Sequence, residues 1–203
     1  MNGIKSIDQN TLSIQIKSLM IYEFLKEYNK LERMIRGIFE KNIPLLPNTV
    51  IQQLYFYSGG RIGTYIDVEE ESVKLSAIKY KDNDLFKELT INQIVKIFKK
   101  NSCLKAFNFE ISSVQRATTE YSFYDCAIRL LNMRNILAHE MVDIQFKNKD
   151  LIELLTFDQL EKHNFEILQN YDIHVMDNMT QYIASNIVYM RKIIDHLRTL
   201  MEE

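Results

Sequence analysis

The chain has 203 residues, of which 46% are hydrophobic and 26% are charged, a balance typical of a folded globular protein rather than a disordered chain. Its formal net charge of −2 excludes a uniformly basic, histone-like protein but leaves room for a local phosphate-binding site. Two cysteines are too few for a disulfide framework, so we expect reduced thiols in a cytoplasmic protein. Only five glycines and two prolines interrupt the chain, which favours long helices.

The first predicted element is a long amphipathic helix over residues 9–40, ended by the sequence PLLP at 44–47. Gln15, Lys17 and Glu23 interrupt its first apolar stretch, which therefore predicts neither a signal peptide nor a membrane span. The apolar residues recur at steps of three and four, as on one face of a helix. They are Leu12, Ile16, Leu19, Met20, Phe24, Tyr28, Leu31, Ile35 and Phe39.

The segment that follows has a different periodicity. Residues 50–57, VIQQLYFY, predict a short helix or strand, and SGGRIG at 58–63 predicts a turn. Around residues 61–80, the sequences TYIDV and SVKLSAIKY alternate apolar and polar residues, with the acidic tip DVEEES between them. A small β-hairpin insertion is therefore predicted there.

Helical periodicity returns from residue 90 onward. It predicts helices over residues 90–100, 150–162 and 176–201. Because no internal repeat or linker is visible, we predict one mostly all-α domain, a helical bundle over residues 1–203. The apolar stripe of the last helix consists of Met179, Ile183, Ile187, Met190, Ile194 and Leu197.

A further helix carries the stretch LNMRNILAHE at 131–140, in which an arginine interrupts apolar residues. Ser122 and Asp125 fit a capping box, so this helix is predicted to begin at Phe123. On a wheel of about 100° per residue, Arg134 stands in the apolar arc and has no acidic residue three or four positions away. A buried guanidinium cannot lose its charge and needs an anion, carbonyl groups or water. The residues within about 60° of it are Phe123, Ala127, Leu130, Leu131, Leu137 and Ala138.

His139 would lie about 140° around the helix from Arg134 if the helix continued that far. One straight helix therefore cannot direct both side chains at one target. Either the helix ends before His139 and turns it back, or the two groups meet in another way, such as across a dimer. Structural roles are the alternative: the arginine can reach solvent or pair with a core carboxylate, and the histidine can cap or pack.

The sequence from Arg134 to His139 resembles the signature of HEPN domains, the higher eukaryote and prokaryote nucleotide-binding superfamily. That signature is an arginine, four to six residues and a histidine, with a polar residue, usually Asn, His or Asp, directly after the arginine. Asn135 occupies the polar position, and Ala138 precedes the histidine.

A second match to the bare pattern runs from Arg191 to His196. Lys192 follows this arginine in place of an uncharged polar residue. Asp195, four positions after Arg191, offers an ordinary local ion pair. We therefore interpret the second match as coincidental.

The resemblance implies a helical bundle and metal-independent endoribonuclease activity in a homodimer, with Arg134 and His139 of two protomers converging on one scissile phosphate. RNA supplies its own 2′-OH as nucleophile, so no metal or other cofactor is expected. A histidine can accept or donate the proton, and an arginine can hold the phosphate and stabilise its developing charge. Asn135 would orient His139 or contact the phosphate. The expected products are a 2′,3′-cyclic phosphate and a 5′-hydroxyl.

The resemblance also implies a toxin or an anti-phage defence effector that acts on RNA in the cytoplasm, under an antitoxin or regulatory protein and without a membrane. One toxin subgroup carries a Tyr-x-Tyr shortly after the histidine, and residues 140–146, EMVDIQF, depart from it. Two alternatives remain open. The chain is a non-catalytic dimerisation or RNA-binding module of this fold, or an unrelated helical protein in which Arg134 pairs with an internal carboxylate.

Other signals are less specific. Residues 55–57, YFY, can stack bases or pack in a core, and SGGRIG lacks the features of a nucleotide-binding loop. His163 and His174 have no companion at metal-ligand spacing, so no metal site is predicted. Four lysines close together in KIFKKNSCLK are candidates for contacts with an RNA backbone, although a solvated helix face is the ordinary meaning. They are Lys96, Lys99, Lys100 and Lys105.

Overall fold

Helices dominate the described part of the computed structural model, which confirms the predicted mostly all-α fold. The elements are α1 (Gln9–Asn42), β1 (Ile62–Asp67), β2 (Ser72–Ala77), α2 (Ile91–Lys100), β3 (Phe109–Ile111), β4 (Thr119–Tyr121), α3 (Phe123–His139) and α4 (Asn178–Glu202). The structure describes residues 9–42, 46–47, 50, 62–67, 72–77, 89–100, 109–111, 119–139, 160 and 176–202.

The long helix α1 has nearly the predicted bounds and ends before PLLP. Its core side is the predicted stripe without Leu12, which is half-buried, and Leu19, which is 40% exposed. A face of three- and four-residue steps drifts around a helix of this length, so the covering neighbours decide which members are buried. The buried members are Ile16, Met20, Phe24, Tyr28, Leu31, Ile35 and Phe39.

The predicted hairpin is confirmed as an antiparallel pair of β1 and β2, in which Ile62 lies opposite Ala77 and Asp67 lies opposite Ser72. Ile62 and Gly63, predicted to be part of a turn, already belong to β1. A second antiparallel pair, β3 with β4, was not predicted. Its strands have three residues each, too few to show a period of two in the sequence.

The helices α2 and α4 begin with side-chain caps. Thr90 and Gln93 form a reciprocal capping box, in which the Thr90 amide donates to Gln93 Oε1 at 2.7 Å and the Gln93 amide donates to Thr90 Oγ1 at 3.3 Å. At α4, the Thr180 amide and hydroxyl both donate to Asp177 Oδ1, at 2.7 and 2.6 Å. These caps satisfy amide groups that a helix leaves without partners in its first turn.

The chain divides into two compact units, each built from segments distant in sequence: Met1–Leu31 with Arg129–His196, and Glu32–Ile128 with Leu197–Glu203. In the first unit, every residue of α4 from 183 to 190 is buried, so this stretch is covered on all sides. In the second unit, the rings of Phe39 and Phe98 pack edge to face at 5.4 Å. The single domain over residues 1–203 stays a prediction.

Several predicted features lie outside the described residues. They are the helix or strand at 50–57 apart from Val50, the turn residues 58–61, the helix at 150–162 apart from Leu160, and Lys105, His163 and His174.

Candidate functional site

The helix α3 carries all three predicted catalytic residues. It begins at Phe123, as predicted, and the Cys126 amide donates to the Ser122 carbonyl oxygen at 3.1 Å. It continues through His139, its last residue. The helix therefore does not end before His139, and this excludes the alternative in which the histidine turns back toward Arg134.

The buried face of α3 is rotated relative to the prediction. Ala138, placed in the predicted apolar arc, is exposed, and Leu131 is half-buried, whereas Cys126 and Met133 are fully buried. On a helical wheel the centre of the buried face lies about 50° from Arg134. Arg134 is half-buried and stands at the border of that face rather than at its centre. The buried residues are Phe123, Cys126, Ala127, Leu130, Met133 and Leu137.

The guanidinium of Arg134 contacts its neighbour in sequence. Its Nη1 donates to the side-chain oxygen of Asn135 at 3.1 Å, while the Asn135 side chain is exposed. No carboxylate among the described residues forms an ion pair with Arg134. Asn135 thus bonds to the arginine, and its role in orienting His139 or contacting a phosphate, which the resemblance implies, stays a prediction.

His139 is exposed at the end of α3. Five residues of helix place its Cα about 7.5 Å beyond that of Arg134 along the axis and about 140° around it. Within one chain the helix therefore directs the two side chains to different sides. A site that uses both needs a geometry that one copy of α3 does not provide.

A stripe of side chains lies between Arg134 and His139 on the wheel. Leu131, Asn135 and Ala138 follow at steps of four and three, and they are half-buried or exposed. We call these three residues the outer stripe. Its residues have the spacing of the core positions d, a and d of a coiled coil. Arg134 and His139 then stand at the two flanking positions, g and e. This stripe was not predicted, although its steps of four and three are visible in the sequence.

The second arginine that matches the pattern has different surroundings. The guanidinium of Arg191 lies 3.5 Å from Glu27 and 3.7 Å from Glu23, both on α1. Glu27 is buried and also binds Lys30 at 2.9 Å. Arg191 is thus part of an ion network between α1 and α4, which fits a structural role. The predicted local pair with Asp195 stays a prediction.

The candidate lysines of α2 are exposed. Lys96, Lys99 and Lys100 all reach solvent, and the ammonium nitrogen of Lys99 lies 3.9 Å from the ring centroid of Tyr124 on α3. Tyr124 was not singled out from the sequence, because nothing local relates it to Lys99.

The described residues include neither a metal-binding cluster nor a membrane-spanning helix. They contain no group of three or more His, Cys, Asp or Glu side chains placed to hold a metal ion. None of the described helices has both the length and the apolar character needed to cross a membrane.

No model of a known protein family matches the chain, no curated protein is similar to it in sequence, and no solved structure matches its fold. The HEPN resemblance therefore rests on residues 134–139 and on the helical character of the fold.

Proposed function

We propose that this chain is a metal-independent endoribonuclease that acts as a homodimer, with Arg134, Asn135 and His139 in its catalytic site. The observation that carries the proposal is the state of Arg134, which is half-buried and has no carboxylate partner among the described residues. An arginine held in that way can bind a substrate phosphate, because none of the described carboxylates takes its donors. The resemblance supplies the reaction.

A homodimer would bring Arg134 of one protomer next to His139 of the other, which a single copy of α3 cannot do. If two copies of α3 packed in parallel through the outer stripe, Arg134 would flank the seam on one side and His139 on the other. In a parallel coiled coil, a residue at position g of one helix faces the residue at position e of the partner helix, which is five positions later in the sequence. Five positions separate Arg134 from His139. Arg134 of each protomer would then lie next to His139 of its partner. The five-residue separation in the motif would be the separation that parallel packing of two such helices requires.

The outer stripe also lies on the appropriate side of the helix for such packing. The opposite side of α3 carries Met133 and Leu137, which are fully buried in the chain's own core. Ala138 is exposed and small, so it would let two helices approach closely. Asn135 at a contact position would specify the register of the pair at some cost in stability.

The residue types fit cleavage that uses the 2′-OH of the substrate. In each pair of Arg134 and the partner's His139, the histidine would take the 2′-OH proton as the oxygen attacks phosphorus, and a water molecule would protonate the departing 5′-oxygen. Arg134 would hold the nonbridging oxygens and stabilise the charge that grows on them. Asn135 bonds to one guanidinium nitrogen, and since a guanidinium has five N–H donors, others remain for the phosphate.

The biological role that fits this activity is a toxin or an anti-phage effector in the cytoplasm, restrained by an antitoxin or regulatory protein. Induced expression of the chain should then arrest growth, whereas His139→Ala should not. Wild-type expression without arrest would count against the toxin role without bearing on the chemistry.

The test of the activity is RNA cleavage by purified wild type, Arg134→Ala and His139→Ala in EDTA, with mapping of the product ends. Wild type should leave 2′,3′-cyclic phosphate ends, and both variants should lose about 100-fold or more in rate. Arg134→Lys keeps the charge without the planar fork and should recover only part of the rate. A 2′-deoxy residue at the scissile position should block cleavage.

Arg129→Ala is the matched control, because Arg129 is also half-buried on α3 but lies on the opposite side from the outer stripe. It should cleave at the wild-type rate. If wild type cleaves and the Arg134 and His139 variants cleave equally well, these residues are not the catalytic site. If folded, dimeric wild type does not cleave, the binding-module alternative is favoured.

A further inference from the structure

The lysines of α2 form a basic surface within the second compact unit. Lys96, Lys99 and Lys100 are exposed, and since they are three and four positions apart, they stand on one side of the helix. We call these three residues the lysine surface. The helix sequence INQIVKIFKK contains no acidic residue. Its other side is buried and consists of Ile91, Ile94, Val95, Ile97 and Phe98.

Two cations on α1, Lys26 and Arg36, each pair with a carboxylate of the same helix. Lys26 lies 3.1 Å from Glu23, and the hydrogen bond between them raises the pKa of Lys26. Arg36 lies 2.7 Å from Glu32. By contrast, no carboxylate among the described residues pairs with Lys96 or Lys99. Lys96 and Lys99 therefore add positive charge that no described carboxylate offsets, in a protein whose net charge is −2.

The ring of Tyr124 restrains Lys99, one of the three residues of the lysine surface. The Lys99 ammonium nitrogen lies 3.9 Å from its ring centroid, a cation–π contact worth about 0.5–1 kcal/mol at an exposed site. The contact limits the rotamers of a flexible side chain before any ligand arrives, which lowers the entropy cost of binding. The three N–H donors of an ammonium group can still reach acceptors beside the ring.

We propose that the lysine surface binds the phosphate backbone of RNA, with Tyr124 as a positioning residue for Lys99. The choice of RNA as the polyanion rests on the proposed function, whereas the surface itself rests only on the contacts above. Lysine ammonium groups bind phosphates as point charges, and since contacts to phosphates carry no sequence information, this binding is independent of sequence. The surface would add affinity for the substrate apart from the reacting groups on α3.

The test is RNA binding by the full chain in the His139→Ala background, which prevents cleavage in the assay. The probe is a fluorescein-labelled oligouridylate, and anisotropy is measured over a range of salt concentrations. Each phosphate contact to single-stranded RNA contributes about 0.7 to the slope of log K against log salt. Replacing all three lysines by glutamine should reduce that slope by about 2 and weaken binding about 100-fold near 0.1 M salt.

The matched control replaces Lys26, Lys41 and Lys192 by glutamine. These lysines are also exposed on helices, and their loss changes the net charge equally, but no two of them are neighbours on adjacent turns of one helix. The control should keep the parental slope. Tyr124→Phe should bind as the parent does, and Tyr124→Leu should bind more weakly, because only phenylalanine keeps the ring under Lys99.

An equal slope in the lysine-surface variant and the control overturns the inference, as does a parent chain that does not bind RNA. Binding of polyglutamate in preference to RNA would also overturn it and would identify an acidic protein as the partner. If wild type cleaves RNA but the lysine-surface variant keeps the parental salt slope, this inference is wrong and the proposed function is not affected. Loss of slope without any cleavage by wild type would refute only the proposed reaction.

Discussion

Replacing Arg191 by alanine removes a guanidinium that lies 3.5 Å from Glu27 and 3.7 Å from Glu23. The carboxylate of Glu27 is only 7% exposed, so it has little water to take the place of the lost partner. Removing one partner of a fully buried ion pair costs about 3–5 kcal/mol, whereas an exposed pair is worth about 0–1 kcal/mol. Arg191 is 34% exposed and Lys30 still binds Glu27, so we expect a loss of about 1–2 kcal/mol in the free energy of unfolding.

Arg134→Ala should behave differently, although the same residue type is removed from a half-buried position. The change deletes one hydrogen bond to the exposed Asn135 side chain and leaves no described carboxylate without a partner. Alanine also has a slightly better helix propensity than arginine. We therefore expect the free energy of unfolding to change by less than about 0.5 kcal/mol.

Urea unfolding and thermal melting of the two variants test this contrast. For a chain of this size, about 1 kcal/mol corresponds to about 2–4 °C in Tm. In a Glu27→Gln background, Arg191→Ala should cost much less than in wild type, because the buried charge is gone. A loss for Arg134→Ala as large as that for Arg191→Ala would refute the reasoning. It would show that Arg134 has an anionic partner in the folded chain, as the structural alternative requires.

Two further predictions concern the dimer and the cap of α4. Ala138→Glu places a charge on the outer stripe and should abolish the dimer and RNA cleavage without unfolding, as measured by light scattering and circular dichroism. Gln15→Glu, at an exposed site on α1, should remain dimeric, and a dimeric, active Ala138→Glu would exclude packing through this stripe. Asp177→Ala removes the acceptor of the Thr180 amide and hydroxyl and should lower the free energy of unfolding by about 1–2 kcal/mol in urea. Asp177→Ser should retain most of the stability, and an equal loss would mean that packing rather than capping matters there.

The helices could be predicted because the signals for each one, apolar periodicity and cap residues, lie within or next to its own sequence. The steps of three and four in α1 and α4, and the cap residues before α3, act over one or two turns and need no knowledge of neighbours. The hairpin of β1 and β2 was visible for the same reason, since each of its strands is long enough to alternate. The strands β3 and β4 are too short for such a signal, and their pairing depends on the rest of the fold.

The residues of the candidate site were predicted from the sequence, but the side of α3 that is buried was not. The sequence indicated that Arg134 interrupts an apolar face, because local spacing shows both the apolar residues and the lack of acidic neighbours. It did not indicate that Ala138 is exposed while Met133 is buried. A wheel with a broad apolar arc is compatible with several rotations of the helix, and only the neighbours that cover it select one.

By itself, then, the sequence determined that the chain is mostly helical, the bounds of α1 and α4 to within two residues, and the five-residue spacing of Arg134 and His139. These properties follow from interactions within a few turns of the chain. Only the tertiary structure decided that Glu27 is a partner of Arg191, that Lys99 lies over Tyr124, and which side of α3 is covered. Those facts depend on which surfaces meet, and contacts between residues far apart in the chain leave no periodic signal in the sequence.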